Sequence, residues 1–172
     1  DRDYTMRYVA VDRVIMDDDS AFHWYCGGGA ATGGVARASN HNYYWYEASN
    51  ANRFWIIPWD LDNALMPTSK VHVEPEWSVM NGDCSCRAAT MMGYSPQRAP
   101  ACDPLIASFA SWRADYEKHV DAFLAGPFSE AAVSAKLTAW TTQLQPFVAE
   151  AAGIHGGRTV DDFLYQVYEL SE

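Results

Sequence analysis

The chain has 172 residues, enough for one sizeable core and too few for two independent domains, so a single domain over 1–172 is expected. An apolar content of 49% excludes a disordered chain. The formal charge of −10 and the pI near 4.8 argue against nucleic acid and anionic membrane surfaces as main partners, and no apolar run is long enough to span a membrane. The chain opens without a basic region followed by an apolar run, so no signal peptide is read. It also opens in mid-pattern, as part of a longer protein would.

Residues 4–16 are apolar almost all round (Met6, Tyr8, Val9, Val11, Val14, Ile15), interrupted by Arg7, Asp12 and Arg13. Periodicity does not separate a buried helix from a strand here. The β-branched residues favour a strand and the length favours a helix; a helix is expected. Three acids follow, Asp17-Asp18-Asp19, ahead of Ser20. The plain reading is a solvated turn at a helix C-terminus. Acids there oppose the helix dipole at a cost of up to ~1 kcal/mol each, and such local conflicts are commoner at functional sites than elsewhere.

Residues 21–39 contain Gly27-Gly28-Gly29 and Gly33-Gly34. Neither a G-x-G-x-x-G spacing nor a following Lys-Ser/Thr accompanies them, so the segment reads as a flexible insertion and not as a phosphate loop. Two aromatic-rich runs come next, Tyr43–Tyr46 and Arg53–Ile57, on either side of a polar break at 47–52. They are predicted to form a β-hairpin whose second strand stops at Pro58, which has no N–H to donate. His41-Asn42 precedes the hairpin and Asp60-Leu61-Asp62 follows it. An amide and two carboxylates therefore meet at the open ends of one rigid element, and oxygen donors of this kind suit magnesium or another hard cation. His41 reads as structural or as facing a substrate, and the strand aromatics read as ordinary sheet residues.

Residues 67–102 are irregular, with six Pro and Gly residues and with Cys84, Cys86 and Cys102. A segment this long inside a domain is functional or tied by disulfides. The C-x-C spacing fits zinc poorly. With Cys26 there are four cysteines; at least one disulfide is expected, with Cys84 and Cys86 each pairing to Cys26 or Cys102. That chemistry implies an oxidising compartment. The remainder reads as helices. Asp103-Pro104 opens one that runs to Gly126-Pro127, with an apolar face from Leu105 through Phe109, Trp112, Tyr116 and Val120 to Phe123. Ser129 caps the next, whose face of Val133, Leu137, Trp140, Leu144 and Phe147 is expected to be core, with a bend before Pro146. Thr159 and Asp162 form a capping box for a last helix.

The run from Asn42 to Pro58-Trp59-Asp60-Leu61-Asp62, with the acidic cluster upstream, resembles the CotH kinase-like family, named after spore-coat protein H. The resemblance lies in motifs over residues 4–66 and extends more loosely over the helical remainder; the gap between the acidic cluster and Asn42 is longer than the family pattern. It implies an α+β fold, the C-terminal lobe of a kinase, mostly helical, with a β-hairpin carrying the metal site. By the same resemblance Asp19 is the catalytic aspartate that orients or deprotonates the attacking hydroxyl, with Asp17 its rival, and Asn42 and Asp60 bind the cofactor and its metal, with Asp62 as a second ligand. The implied activity is transfer of the γ-phosphoryl group of ATP, with Mg2+, to serine or threonine hydroxyls of a protein substrate, outside the cytoplasm or at a cell or spore surface. Kinases also need an N-terminal lobe with a cation on the nucleotide phosphates, and none is expected within these residues. Two other readings stand beside it: a non-catalytic structural or binding module of an extracellular or coat protein, and a domain stabilised by Ca2+ at the same acidic oxygens.

Overall fold

In the computed structural model the apolar run near the N-terminus is helix α1, Arg2–Val14. The described residues are 1–17, 20–26, 38–51, 53–65, 77–78, 84, 89–90 and 96–169. The Asp1 carboxylate caps α1 by accepting from the Tyr4 N–H at 3.3 Å. Met6, Val9 and Ala10 are buried on one face, while Arg2, Asp3 and Arg7 stay on the exposed side. Length and core packing thus outweigh the β-branched residues. Within the described residues the protein is α+β, with helices outweighing strands, and it divides into two compact units, Asp1–Val120 and Asp121–Glu172.

The predicted hairpin is present as β3 (Tyr43–Ala48) and β4 (Arg53–Pro58), antiparallel, in a register from Tyr43 opposite Pro58 to Ala48 opposite Arg53. Ile56 points into the core, and the Tyr4 hydroxyl donates to the Ile56 carbonyl at 2.6 Å, fastening α1 to the strand. A second sheet was not anticipated. It is antiparallel, in the order β2 (Ala38–Ser39), β1 (Trp24–Cys26), β6 (Pro96–Arg98), β5 (Ala89–Thr90). It draws its strands from the two segments read as insertion and irregular loop. Strands of two or three residues show no periodicity, and their partners lie far away in sequence.

The core of the first unit joins Met6 and Val9 of α1, Phe22, Ile56, Trp77, and Ile106 and Phe109 of helix α2 (Pro104–Phe109). Trp77 meets Phe22 and Tyr116 edge-on at 6.0 and 5.3 Å. Asp103 caps α2 as expected, accepting from the Leu105 and Ile106 N–H groups. The predicted long helix does not continue. It tightens to a 3-10 turn at Ala110–Trp112 before α3 (Arg113–Ala125). The hydroxyls of Ser108 and Ser111 donate to carbonyls three residues back, which draws the backbone off the α ladder.

Cys84 is bonded to Cys102, Cys26 is also in a disulfide, and no described cysteine is free. Cys86 lies outside the described residues, as does the glycine-rich stretch. The Cys84–Cys102 bridge spans 18 residues of sequence, a loop whose restriction is worth about 3 kcal/mol. Replacing both cysteines by serine is expected to lower the unfolding free energy by that amount, read as a lower urea midpoint; an unchanged midpoint would mean the loop is held by other contacts.

In the second unit α4 (Glu130–His155) runs unbroken for 26 residues, through Pro146, and ends at Gly156, whose φ of +56° a side chain would strain. Ser129 stands at the cap position but donates back to the Gly126 carbonyl at 2.8 Å, so it does not cap. Thr159 and Asp162 do form the reciprocal cap of α5 (Val160–Glu169). No residue of α3, α4 or α5 is buried. The apolar face of α4 is therefore not core: Val133 and Leu137 are half-buried, and Trp140, Leu144 and Phe147 are exposed.

Candidate functional site

Three segments of the first unit are pinned together by hydrogen bonds to backbone groups. The Leu65 N–H donates to the Ile15 carbonyl at 2.9 Å, joining the chain after β4 to the end of α1. The Trp59 N–H donates to the Asn42 carbonyl at 2.9 Å, extending the hairpin by one pair beyond Tyr43 and Pro58. The Asn40 side-chain amide donates to the Ala21 carbonyl at 2.7 Å and its oxygen accepts from the Tyr43 hydroxyl at 3.0 Å, linking the hairpin to the turn after α1. Asp17, Asn42, Asp60 and Asp62 all lie within three residues of one of these links.

The backbone here is held against its preference. All four non-glycine residues with positive φ among those described, Met16 (49°), Asn42 (59°), Asp60 (58°) and Leu65 (56°), sit at this junction. For most side chains that conformation costs about 1–2 kcal/mol, and less for Asn and Asp. Strain of this kind persists where surrounding structure enforces it, and it clusters at functional sites. Two of the four are residues that the sequence marks as metal-binding.

Asp60 stands at the cap position of a single 3-10 turn, Leu61–Asn63, yet its side chain makes no capping bond. Its carboxylate and that of Asp62 are exposed and bond to no described residue. Asn42 is half-buried, and His41 is exposed. Asp17 is buried at 1% exposure. Asp19, the acid assigned to catalysis, lies outside the described residues, as does Asp18.

Between the end of α1 and His23 lies a buried polar cluster that the sequence analysis does not single out. The Arg13 guanidinium pairs with Asp12 Oδ2 at 2.7 Å and stacks over the Phe22 ring. It also donates to the Asp17 carbonyl and to Ser20 Oγ, each at 3.3 Å, and lies 3.3 Å from His23 Nε2. Ser20 Oγ in turn donates to Asp12 Oδ2 and accepts from the Phe22 N–H. One guanidinium thereby holds both Asp17 and Ser20. Burial raises the Asp12 carboxyl above its ordinary range, opposed by the Arg13 charge and hydrogen bond, by the Ser20 bond and by His23. Burial also raises the neighbouring Tyr8 phenol far above its ordinary value, with the charges of Asp12 and Asp17 adding to it. The available signal was the pair Asp12-Arg13 interrupting an otherwise apolar helix.

Among the described residues no three His, Cys, Asp or Glu side chains gather into a metal-holding group. Two carboxylates and an amide remain, and that is a set of donors magnesium accepts, since it keeps several waters and takes its other ligands from substrate phosphates. The uncapped, exposed carboxylate of Asp60 fits such a role. A family model described as CotH kinase protein matches residues 1–170 of the chain. No curated protein and no solved structure matches it.

Proposed function

The chain belongs to the CotH kinase protein family, and from that premise we propose that it transfers the γ-phosphoryl group of ATP to serine or threonine hydroxyls of a protein substrate. The observation that carries this reading is the junction, where the Asn42 carbonyl accepts from the N–H of Trp59, the residue before Asp60, and both Asn42 and Asp60 are held at positive φ. Asn42, Asp60 and Asp62 would hold Mg2+, which would supply positive charge against the negative charge of the nucleotide phosphates.

The other roles belong to the chain's own residues. Asp19 orients the acceptor hydroxyl or takes its proton; Asp17, the rival, is buried, which speaks against it as the acid that meets an acceptor from solvent. The Arg13 cluster holds Asp17 and Ser20 against the end of α1. Little covalent work is asked of a protein in this reaction, so positioning is the main contribution. The disulfides support an oxidising setting, outside the cell or on its surface.

The test is transfer of label from γ-labelled ATP to protein by the intact protein with Mg2+. Label on serine or threonine is expected. Absence of transfer, together with a rise in melting temperature on adding Ca2+, would favour a calcium-stabilised binding module instead, since exposed acidic oxygens also suit that ion.

A further inference from the structure

Helix α4 carries an apolar seam that the described residues of its own unit leave largely open. Val133, Leu137, Trp140, Leu144, Phe147 and Ala151 follow one another at alternating steps of four and three residues, the spacing of a coiled-coil seam. Over most of its length this seam faces solvent. Trp140 is 54% exposed, Leu144 45% and Phe147 63%. The seam covers about 27 Å of helix at the usual rise of ~1.5 Å per residue. Pro146 lies off the seam, so the backbone bond it removes is not on the contact side.

We propose that this seam pairs with the same seam of a second copy of the chain, antiparallel, about a two-fold axis. Both sterics and charge favour that occupant. A two-fold that sets Leu144 against Trp140 of the second copy also sets Leu137 against Phe147 and Val133 against Ala151. Each aromatic then meets a leucine, no two aromatics collide, and the smallest side chain meets the next smallest. The flanking positions follow from the same register. Lys136 of each copy lies opposite Glu150 of the other, and the two Gln143 side chains meet at the axis. A parallel pairing sets Lys136 against Thr141 and Gln143 against Val148, which leaves the lysine without an opposite charge. Lys136, Gln143 and Glu150 are exposed, and neither charge pairs with a described residue of its own chain. An isologous contact closes on itself, so the product is a dimer and not a chain of copies.

The test uses light scattering and sedimentation of the intact protein over a dilution series. A dimer is expected, converted to monomer by Leu144→Glu. Lys136→Glu and Glu150→Lys should each weaken dimerisation by about tenfold, because each sets like charges together twice. The double variant should recover the native association, with far-ultraviolet dichroism unchanged throughout. Every described cysteine is already in a disulfide, so Gln143→Cys should add a thiol that cross-links the two copies on mild oxidation. A native protein that stays monomeric would overturn the proposal, as would a dimer indifferent to Leu144→Glu. Failure of the double variant to recover, or of Gln143→Cys to cross-link, would rule out the antiparallel register.

Discussion

Replacing Asp60 by asparagine in the intact protein should lower phosphoryl transfer by at least ~10²-fold while leaving the melting temperature in place. The argument begins with the backbone. Asp60 sits at φ 58°, a conformation asparagine adopts nearly as readily as aspartate, so the substitution adds no strain. The carboxylate is exposed and caps nothing, so the fold loses no hydrogen bond. What disappears is one negative charge at the place where the cation and the phosphate oxygens would meet. Alanine would be a poorer probe, because it adds backbone strain to the loss of charge. Labelled transfer and a thermal melt on the same preparations separate the two effects. Native transfer by the variant would remove Asp60 from the site; loss of transfer with a lowered melting point would mean that the residue is structural.

The largest expected effect on stability belongs to Arg13. Its side chain is 8% exposed and that of its partner Asp12 is 3% exposed. Arg13→Met keeps much of the volume and strands Asp12 as a buried, unpaired carboxylate, a situation that costs about 3–5 kcal/mol. The deficit should depend on pH with a definite sign. Burial already raises Asp12, and Arg13 is the leading influence that lowers it. Without Arg13 the carboxyl rises further, so the folded state holds a proton that the unfolded state releases. Stability from such a group is present below the ordinary aspartate range, near pH 4, and is lost as pH rises towards the elevated folded value. The variant should therefore lie closest to the native protein in acid and furthest from it at neutrality. Adding Asp12→Asn should return part of the loss, since a neutral amide costs less to bury than a charge. Urea titrations at the two pH values test this. A deficit below ~1 kcal/mol, or one equal at both, would mean that water reaches Asp12. Transfer activity should fall in the same variant, because Arg13 holds Asp17 and Ser20, the described residues next to the proposed catalytic Asp19.

How much of this was legible beforehand depends on how far apart the interacting residues lie. The hairpin, Asp103 at the start of α2 and the Thr159–Asp162 cap are made by neighbours in sequence, and each was read correctly. The break at Ala110–Trp112 is local too, but it turns on two serine hydroxyls whose preference for the backbone an apolar face conceals. The role of Asn40 is not legible in the sequence, because its partners, Ala21 and Tyr43, are a turn and a strand that only the fold brings together.

The sequence by itself determined the family, the helical periodicity and the hairpin. These rest on side-chain type and short spacing, which dihedral preference and capping translate directly into local structure. Tertiary structure alone decided three things. It paired strands of two or three residues across long stretches of chain into the second sheet. It buried Asp12 with Arg13. And it left the apolar seam of α4 in solvent. Pairing and burial depend on what the rest of the chain supplies as a neighbour, and periodicity, which marks a face as apolar, carries no information about what covers it.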